Sequence, residues 1–262
     1  MSLLNKIVGK KKERLASLKT KVPLKEIRSM ASDAELPRNF MNVLKRGSGS
    51  IRLIAEIKKA SPIKGVIRQD FDPVTIASIY ERKNVDAISV ITEEDYFQGK
   101  LEYLLDVKKI TDRPLLRKDF IFDGYQIYES KAKGADAILL IASILDENQS
   151  EEFLHLAKEI GLSVVFEVHN FKELEMVLRV NTKVIGINNR DLETLNINLN
   201  TTFELKKEIP IDKIVLSESG IKTREDVRRL ENAGIDSILV GTAFMESEDI
   251  GKEIDKFMGR VE

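Results

Sequence analysis

From residue 51 onward one unit recurs eight times: a short run rich in β-branched residues, a polar loop, then a helical pattern. The runs are IRLIAEIK (51–58), DAISVIT (86–92), PLLRKDF (114–120), DAILLIA (136–142), SVVFEVH (163–169), KVIGINN (183–189), KIVLSES (213–219) and DSILVGT (236–242). They begin roughly 20 to 35 residues apart, which leaves room for a crossover helix between parallel strands. Most are apolar throughout instead of alternating, as in strands covered on both faces.

The intervening segments carry helix punctuation. Asp72 is a candidate N-cap with Pro73 at the first helical position. Asp123 is a second cap, with Gln126 three residues on and Gly134 as the stop. Thr223, Asp226 and Gly234 repeat that arrangement. In SEEFLHLAKEIG, Phe153, Leu156, Ala157 and Ile160 share one helical face before Gly161. Eight strands and eight crossover helices in about 210 residues predict a (β/α)8 barrel. The competing arrangement is an open doubly wound sheet. Residues 1–262 thus read as a single barrel domain, of which 1–48 form an N-terminal helical extension. LLNKIVGKKKERLASLKTK and PLKEIRSM are its expected helices, and GSGS at 47–50 a loop or hinge. The extension is too short for its own core, so it is expected to pack on the barrel, over one mouth.

Charge narrows the function. Lys plus Arg number 42 and Asp plus Glu 43, so no global field favours nucleic acid or an anionic membrane, and any anion site must be local. The absence of cysteine removes disulfides, thiolate metal sites and a cysteine nucleophile. No apolar run approaches the ~20 residues of a spanning helix, and the N-terminus lacks the apolar stretch of a secretory signal. A cytoplasmic protein is expected.

In such barrels active sites lie at the C-terminal ends of the strands. The runs end there in Glu56 and Lys58; Thr92, Glu93 and Glu94; Lys118; Glu167; Asn188 and Arg190; Glu218, Ser219 and Gly220; Gly241 and Thr242. Two-residue spacing puts Glu56 with Lys58, and Asn188 with Arg190, on one side of their strands. Arg117 and Asp119 flank Lys118 and should point away from it, as structural residues. Each charge alone has a bland reading: a solvated loop residue, an ion pair of Glu56 with Lys118, or a pairing of Glu167 with a rim lysine. As a set they argue for a site, since a purely structural barrel gains little from burying so much charge. Gly220 and Gly241 come to the part of the rim where this fold seats phosphate, and SEDIGKEI can supply a helix N-terminus nearby.

AEIKKASPIKG, SVITEEDYFQG, PLLRKDFIFDGYQIYE, GADAILLIASIL, EVHN, IGINNRDLETL, SESGI and LVGTAFM resemble the indole-3-glycerol phosphate synthase family from Ile51 to the C-terminus. The N-terminal LNKIVGKKKERL and PLKEI resemble that family's extra helices. The resemblance implies ring closure, decarboxylation and dehydration of 1-(2-carboxyphenylamino)-1-deoxyribulose 5-phosphate in tryptophan biosynthesis. It assigns Lys118 as the general acid, Glu56 as the carboxylate holding it, and Lys58 as a second lysine facing the substrate carboxylate. Glu167 becomes the acid/base of dehydration, with Asn188 near the sugar hydroxyls and Glu218 as a polar wall. Ser61 and Arg190 match pocket positions, and Phe97, Phe120, Leu139 and Leu192 the walls around the aromatic ring. Ser219, Gly220, Gly241 and Thr242 match the phosphate seat. No cofactor or metal is implied. The expected partner is a small phosphorylated substrate, with no nucleic acid or membrane, and a monomer or homodimer. Lys100, Ile63 and Thr242 depart from the family's usual residues, which touches loop motion and not the reaction.

Rival readings are a sugar-phosphate isomerase of the same fold and a non-catalytic phosphate-binding barrel. One isomerase is expected to use a cysteine, absent here, and another paired aspartates where Glu56 and Glu167 stand. A scaffold is expected to lack one of Glu56, Lys118 or Glu167. His155 falls on a helical pattern and should be at the surface; His169, two after Glu167, is open to a ligand role.

Overall fold

The computed structural model describes residues 2–47, 49–192 and 194–260; Ser48 of the expected 47–50 loop and Glu193 lie outside the described residues. Three helices come first: α1 (Leu3–Lys21), α2 (Leu24–Asp33) and α3 (Phe40–Leu44). Strand β1 (Arg52–Ile57) is followed by a hairpin, β2 (Ala60–Ser61) and β3 (Gly65–Val66), within the loop after the first run. Then α4 (Pro73–Arg82), β4 (Ala87–Ile91), α5 (Glu102–Lys108), β5 (Leu115–Lys118), α6 (Gly124–Ala132) and β6 (Ala137–Ile141) alternate. A 3-10 turn at Ala142–Ile144 precedes α7 (Glu147–Glu159), β7 (Ser163–Val168), α8 (Phe171–Arg179), β8 (Val184–Asn188) and α9 (Asn200–Lys206). The chain ends with β9 (Ile214–Glu218), α10 (Arg224–Asn232), β10 (Ser237–Val240), α11 (Thr242–Glu246) and α12 (Ile250–Met258).

All eight expected runs form strands. They are parallel, and β1 pairs with both β4 and β10, so the sheet closes on itself. Closure excludes the open sheet. Alternation sends Ile54, Ala87, Leu116, Ala137, Val165, Val184, Leu216 and Leu239 into the barrel interior. Their neighbours, such as Leu53, Ile88, Leu115 and Ile138, pack outward with the helices.

The caps act largely as expected. Asp72 accepts the Thr75 N–H with Pro73 opening α4, and Thr223 and Asp226 form a reciprocal capping box on α10. Asp123 caps α6 through Tyr125 N, but Gln126 does not reach back to it. Its amide instead accepts Phe122 N–H at 3.0 Å and donates to Phe120 O at 2.9 Å, pinning the loop after β5. α7 begins earlier than the apolar pattern suggested, because Asp146 and Gln149 supply a second capping box.

The N-terminal extension works at both ends of the barrel. Leu3, Leu4 and Ile7 of α1 line the upper mouth. Phe40 and Leu44 of α3 are fully buried against the interior cluster and plug the other end. Ser237 Oγ donates to Leu44 O at 2.8 Å there. Sequence reasoning missed α3, since five residues are too few to show a helical period. Among the described residues no helix is long and apolar enough to cross a membrane.

Candidate active site

The C-terminal ends of the strands enclose a cavity of about 830 Å³. Every site residue expected from sequence lines it: Glu56, Lys58, Ser61, Phe97, Lys118, Phe120, Leu139, Glu167, Asn188, Arg190, Leu192, Glu218, Ser219, Gly220, Gly241 and Thr242. One wall is apolar, where the Phe97 and Phe120 rings lie 6.3 Å apart, centre to centre.

Lys118 is the centre of the polar floor. Its Nζ donates to Glu167 Oε2 at 2.6 Å and lies 2.8 Å from Glu218 Oε2. Glu56 does not hold it, contrary to expectation. Glu56 Oε1 instead accepts from Lys58 Nζ at 2.6 Å on its own strand, while Lys118 Nζ is taken up by Glu167 and Glu218. Glu56 reaches Lys118 through its field alone. Burial opposes the charge on Lys118, but Glu167, Glu218 and Glu56 outweigh it and hold the ammonium well above the ordinary lysine range.

The two carboxylates on Lys118 are not equivalent. Burial works against both charges. For Glu167 it is overcome by Lys118 and His169, which hold the carboxyl well below its usual range. Glu167 Oε1 also accepts from Asn188 Nδ2 at 3.2 Å. Glu218 has only Lys118, and its Oε1 is buried with no partner. Burial and its acidic neighbours therefore raise Glu218 above the carboxylate range despite the lysine. One ammonium cannot satisfy two buried anions, and the one with fewer donors is the better proton acceptor.

Two glycines make room for these carboxylates. A Cβ on Gly186 would fall 2.7 Å from Glu218 Oε1, and one on Gly241 would fall 2.9 Å from Glu56 Cβ and still closer to its Oε1. Gly241 therefore admits the Glu56 side chain besides capping α11. Ser219 and Gly220 are consecutive left-handed residues, φ +66° and +81°, and main-chain N–H groups in such turns form anion-binding concavities. At the helix in SEDIGKEI, Asp249 caps α12 by accepting Lys252 N–H, which puts a carboxylate at that N-terminus. The short helix at the seat is α11.

A scan of family models matches residues 4–257 to "Indole-3-glycerol phosphate synthase". A protein so named from Alkaliphilus metalliredigens (strain QYMF) is 51% identical over 252 residues, covering 96% of each chain.

The chain belongs to the indole-3-glycerol phosphate synthase family.

Another member, from Thermoanaerobacter pseudethanolicus, is 47% identical over 97% of this chain and 95% of that one. Solved structures outside the synthase family share the barrel. A chain of the tryptophan synthase complex from Pyrococcus furiosus aligns with a TM-score of 0.60 at 16% identity, over 79% of this chain and 98% of that one. Thiamine phosphate pyrophosphorylase from the same organism gives 0.61 at 16% identity, over 84% and 96%. At that identity the likeness shows the fold alone.

Two residues around the synthase-family site escaped sequence reasoning. Asn189, buried beside Asn188, donates to Glu218 O at 2.9 Å and Ser219 O at 3.0 Å, holding the left-handed turn. The doubled NN in GINN was its only signal. Lys11 of α1 is buried and pairs with Asp119 Oδ2 at 2.8 Å and Glu94 Oε2 at 2.9 Å, tying the extension to the residue after Lys118. His169 contacts Glu167. His155 is exposed, as expected. Among the described residues, one acidic trio has the spacing of a metal site, Glu93, Glu94 and Asp95. Each is already engaged: Glu93 by three main-chain N–H groups, Glu94 by Lys11 and Asp95 by Arg14.

Proposed function

We propose that this cavity closes the indole ring of 1-(2-carboxyphenylamino)-1-deoxyribulose 5-phosphate, with Lys118 as the proton donor. That activity is the family's own, a carboxy-lyase step of tryptophan biosynthesis. The observation that supports the assignment is Lys118 Nζ, fixed between Glu167 and Glu218 with an apolar aromatic wall beside it and a glycine-lined anion seat beyond.

The reaction sets the requirements. The ring carbon that bears the carboxylate attacks the ketone carbon, and negative charge develops on the ketone oxygen. A buried ammonium meets that charge and gives up a proton. Lys118 is held strongly charged in the free enzyme, so the transfer depends on the basicity of the developing oxyanion. Lys58 faces the substrate carboxylate, which leaves as carbon dioxide and returns its electron pair to the ring. Dehydration then needs one proton delivered to the departing hydroxyl, given by Lys118 after it is reprotonated from solvent, and one removed from the nitrogen–carbon side of the new ring. Glu167, an anion beside Lys118, takes the latter. Overall one proton is consumed, as conversion of a carboxylate to carbon dioxide requires. Phe97, Phe120, Leu139 and Leu192 seat the aromatic ring, and Ser219, Gly220, Gly241 and Thr242 the phosphate.

The experiment is direct. Purified protein is mixed with the carboxyphenylamino-deoxyribulose phosphate and indole fluorescence is followed. The chain has no tryptophan, so no protein indole contributes to the product's emission. No indole product at high enzyme concentration would exclude the reading.

A further inference from the structure

His169 follows Glu167 by two residues, which places both side chains on the same side of the chain. Its side chain is 6% exposed. The asparagine after it caps α8: Asn170 Oδ1 accepts Glu173 N–H at 3.0 Å, and Glu173 Oε1 accepts Asn170 Nδ2–H at 2.8 Å. Glu173 Oε2 then faces His169 twice, accepting its main-chain N–H at 2.8 Å and lying 2.9 Å from its Nδ1. An ionised carboxylate only accepts, so Nδ1 carries a proton.

The other ring nitrogen settles the charge. Nε2 is buried and lies 3.2 Å from Glu167 Oε1, outside good hydrogen-bond geometry and with no other partner. If the imidazole were neutral with its proton on Nδ1, the Nε2 lone pair would face a carboxylate oxygen in a buried site. Protonation converts that repulsion into attraction. We propose that His169 is a positioning residue for the reaction: an imidazolium clamped between Glu173 and Glu167 that keeps Glu167 an anion with its other oxygen turned to Lys118. This rests on the reading of Glu167 as the proton carrier of dehydration.

The charged groups facing the imidazole are Glu167 from β7 and Glu173 from α8. Behind Glu167 stand Lys118 from β5, neutral Asn188 from β8 and, across Lys118, Glu218 from β9. Burial disfavours the imidazolium, but the two carboxylates outweigh it and carry its pKa to about 10. The clamp matters most after the first proton transfer. Lys118 is then neutral, and Glu167 has lost the cation on Oε2. His169 remains as the cation on Oε1, so Glu167 stays ionised until dehydration presents its proton.

The test has one arm that needs no turnover. Nitrogen-15 spectra of the unligated protein at pH 8 should show His169 with both nitrogens protonated. The chain has two histidines, and His169→Gln identifies the resonance. Neutral His169 at pH 8 overturns the proposal. In the second arm, His169→Gln keeps a donor toward Glu173 but has no charge. The acid limb of kcat should move up by about one pH unit, a tenfold change in the proton equilibrium, with KM within about threefold. Glu173→Gln should bring the imidazole into its ordinary range near pH 6.5 and add that ionisation to the kcat profile. A merely structural histidine would lower the unfolding midpoint and leave both profiles in place. That result in folded His169→Gln also overturns the proposal. Failure of the wild type to make the indole product would instead count against the proposed function, and leaves the spectroscopic arm intact.

Discussion

Arg117 and Lys118 are adjacent, yet their removal should do opposite things. Arg117 points out of the barrel into the layer between sheet and helices and is 1% exposed. Its guanidinium donates to Asp119 Oδ2 at 2.9 Å, Glu129 Oε2 at 2.8 Å, Ser130 Oγ at 3.1 Å and Gln126 O at 3.2 Å. In Arg117→Ala, Asp119 keeps Lys11 at 2.8 Å and Thr92 at 2.6 Å, while buried Glu129 loses its cation. Breaking a buried pair from one side costs about 3–5 kcal/mol. At roughly 2–4 °C per kcal/mol for a chain of this size, Tm should fall by about 6–20 °C. Its outward direction therefore makes the change mild for catalysis but not for folding. Lys118→Ala leaves Glu218 free to take a proton and opens on a solvated cavity, so its stability loss should be smaller, while kcat should fall about 10²–10⁴-fold. Urea unfolding followed by circular dichroism, with kcat measured on the folded fraction, separates the two. An unchanged unfolding midpoint for Arg117→Ala would refute the buried network. A folded Arg117→Ala as inactive as Lys118→Ala would refute the strand register.

Acid stability should depend on Asp119. Burial raises its pKa, but Lys11 and Arg117 outweigh it and hold the group well below the usual range. A depressed carboxylate stabilises above its unfolded pKa of about 3.9, and the contribution is lost as pH falls toward the folded value. Asp119→Asn should be less stable at pH 7 and show a flatter unfolding-midpoint curve below about pH 4; an identical slope would show that other groups set the limb. Gly186→Ala should push a methyl into the Glu218 carboxylate, costing about 1–3 kcal/mol as overpacking and lowering kcat; wild-type kcat would show that the Lys118–Glu218 contact is dispensable. A substrate analogue without its phosphate should bind more weakly by about 3 kcal/mol or more, since several charge-assisted hydrogen bonds vanish. Equal affinity by calorimetry would place the anion seat elsewhere.

The barrel was legible from periodicity, because strand and helix patterns are local: each run shows its own apolar character and each cap its own spacing. Alternation along β5 separated Lys118 from Arg117 without coordinates, and the residue types at the strand ends announced a charged site. Partners were not legible. Glu56 and Lys118 looked like a pair, but Glu56 is taken by Lys58 two residues along its own strand, and Lys118 by Glu167 and Glu218 from across the barrel. The joint hold of Glu167 and Glu218 on Lys118 exists because chain positions 118, 167 and 218 meet across the barrel. The same holds for Lys11 on Asp119, separated by 108 positions, and for α3, whose five residues form a helix against the barrel floor that no short window displays. Local sequence determines which elements form and which way their side chains face. Closure of the sheet decides which charges share a proton, because Coulomb energies in a buried site depend on distances of a few ångströms that only the tertiary fold sets.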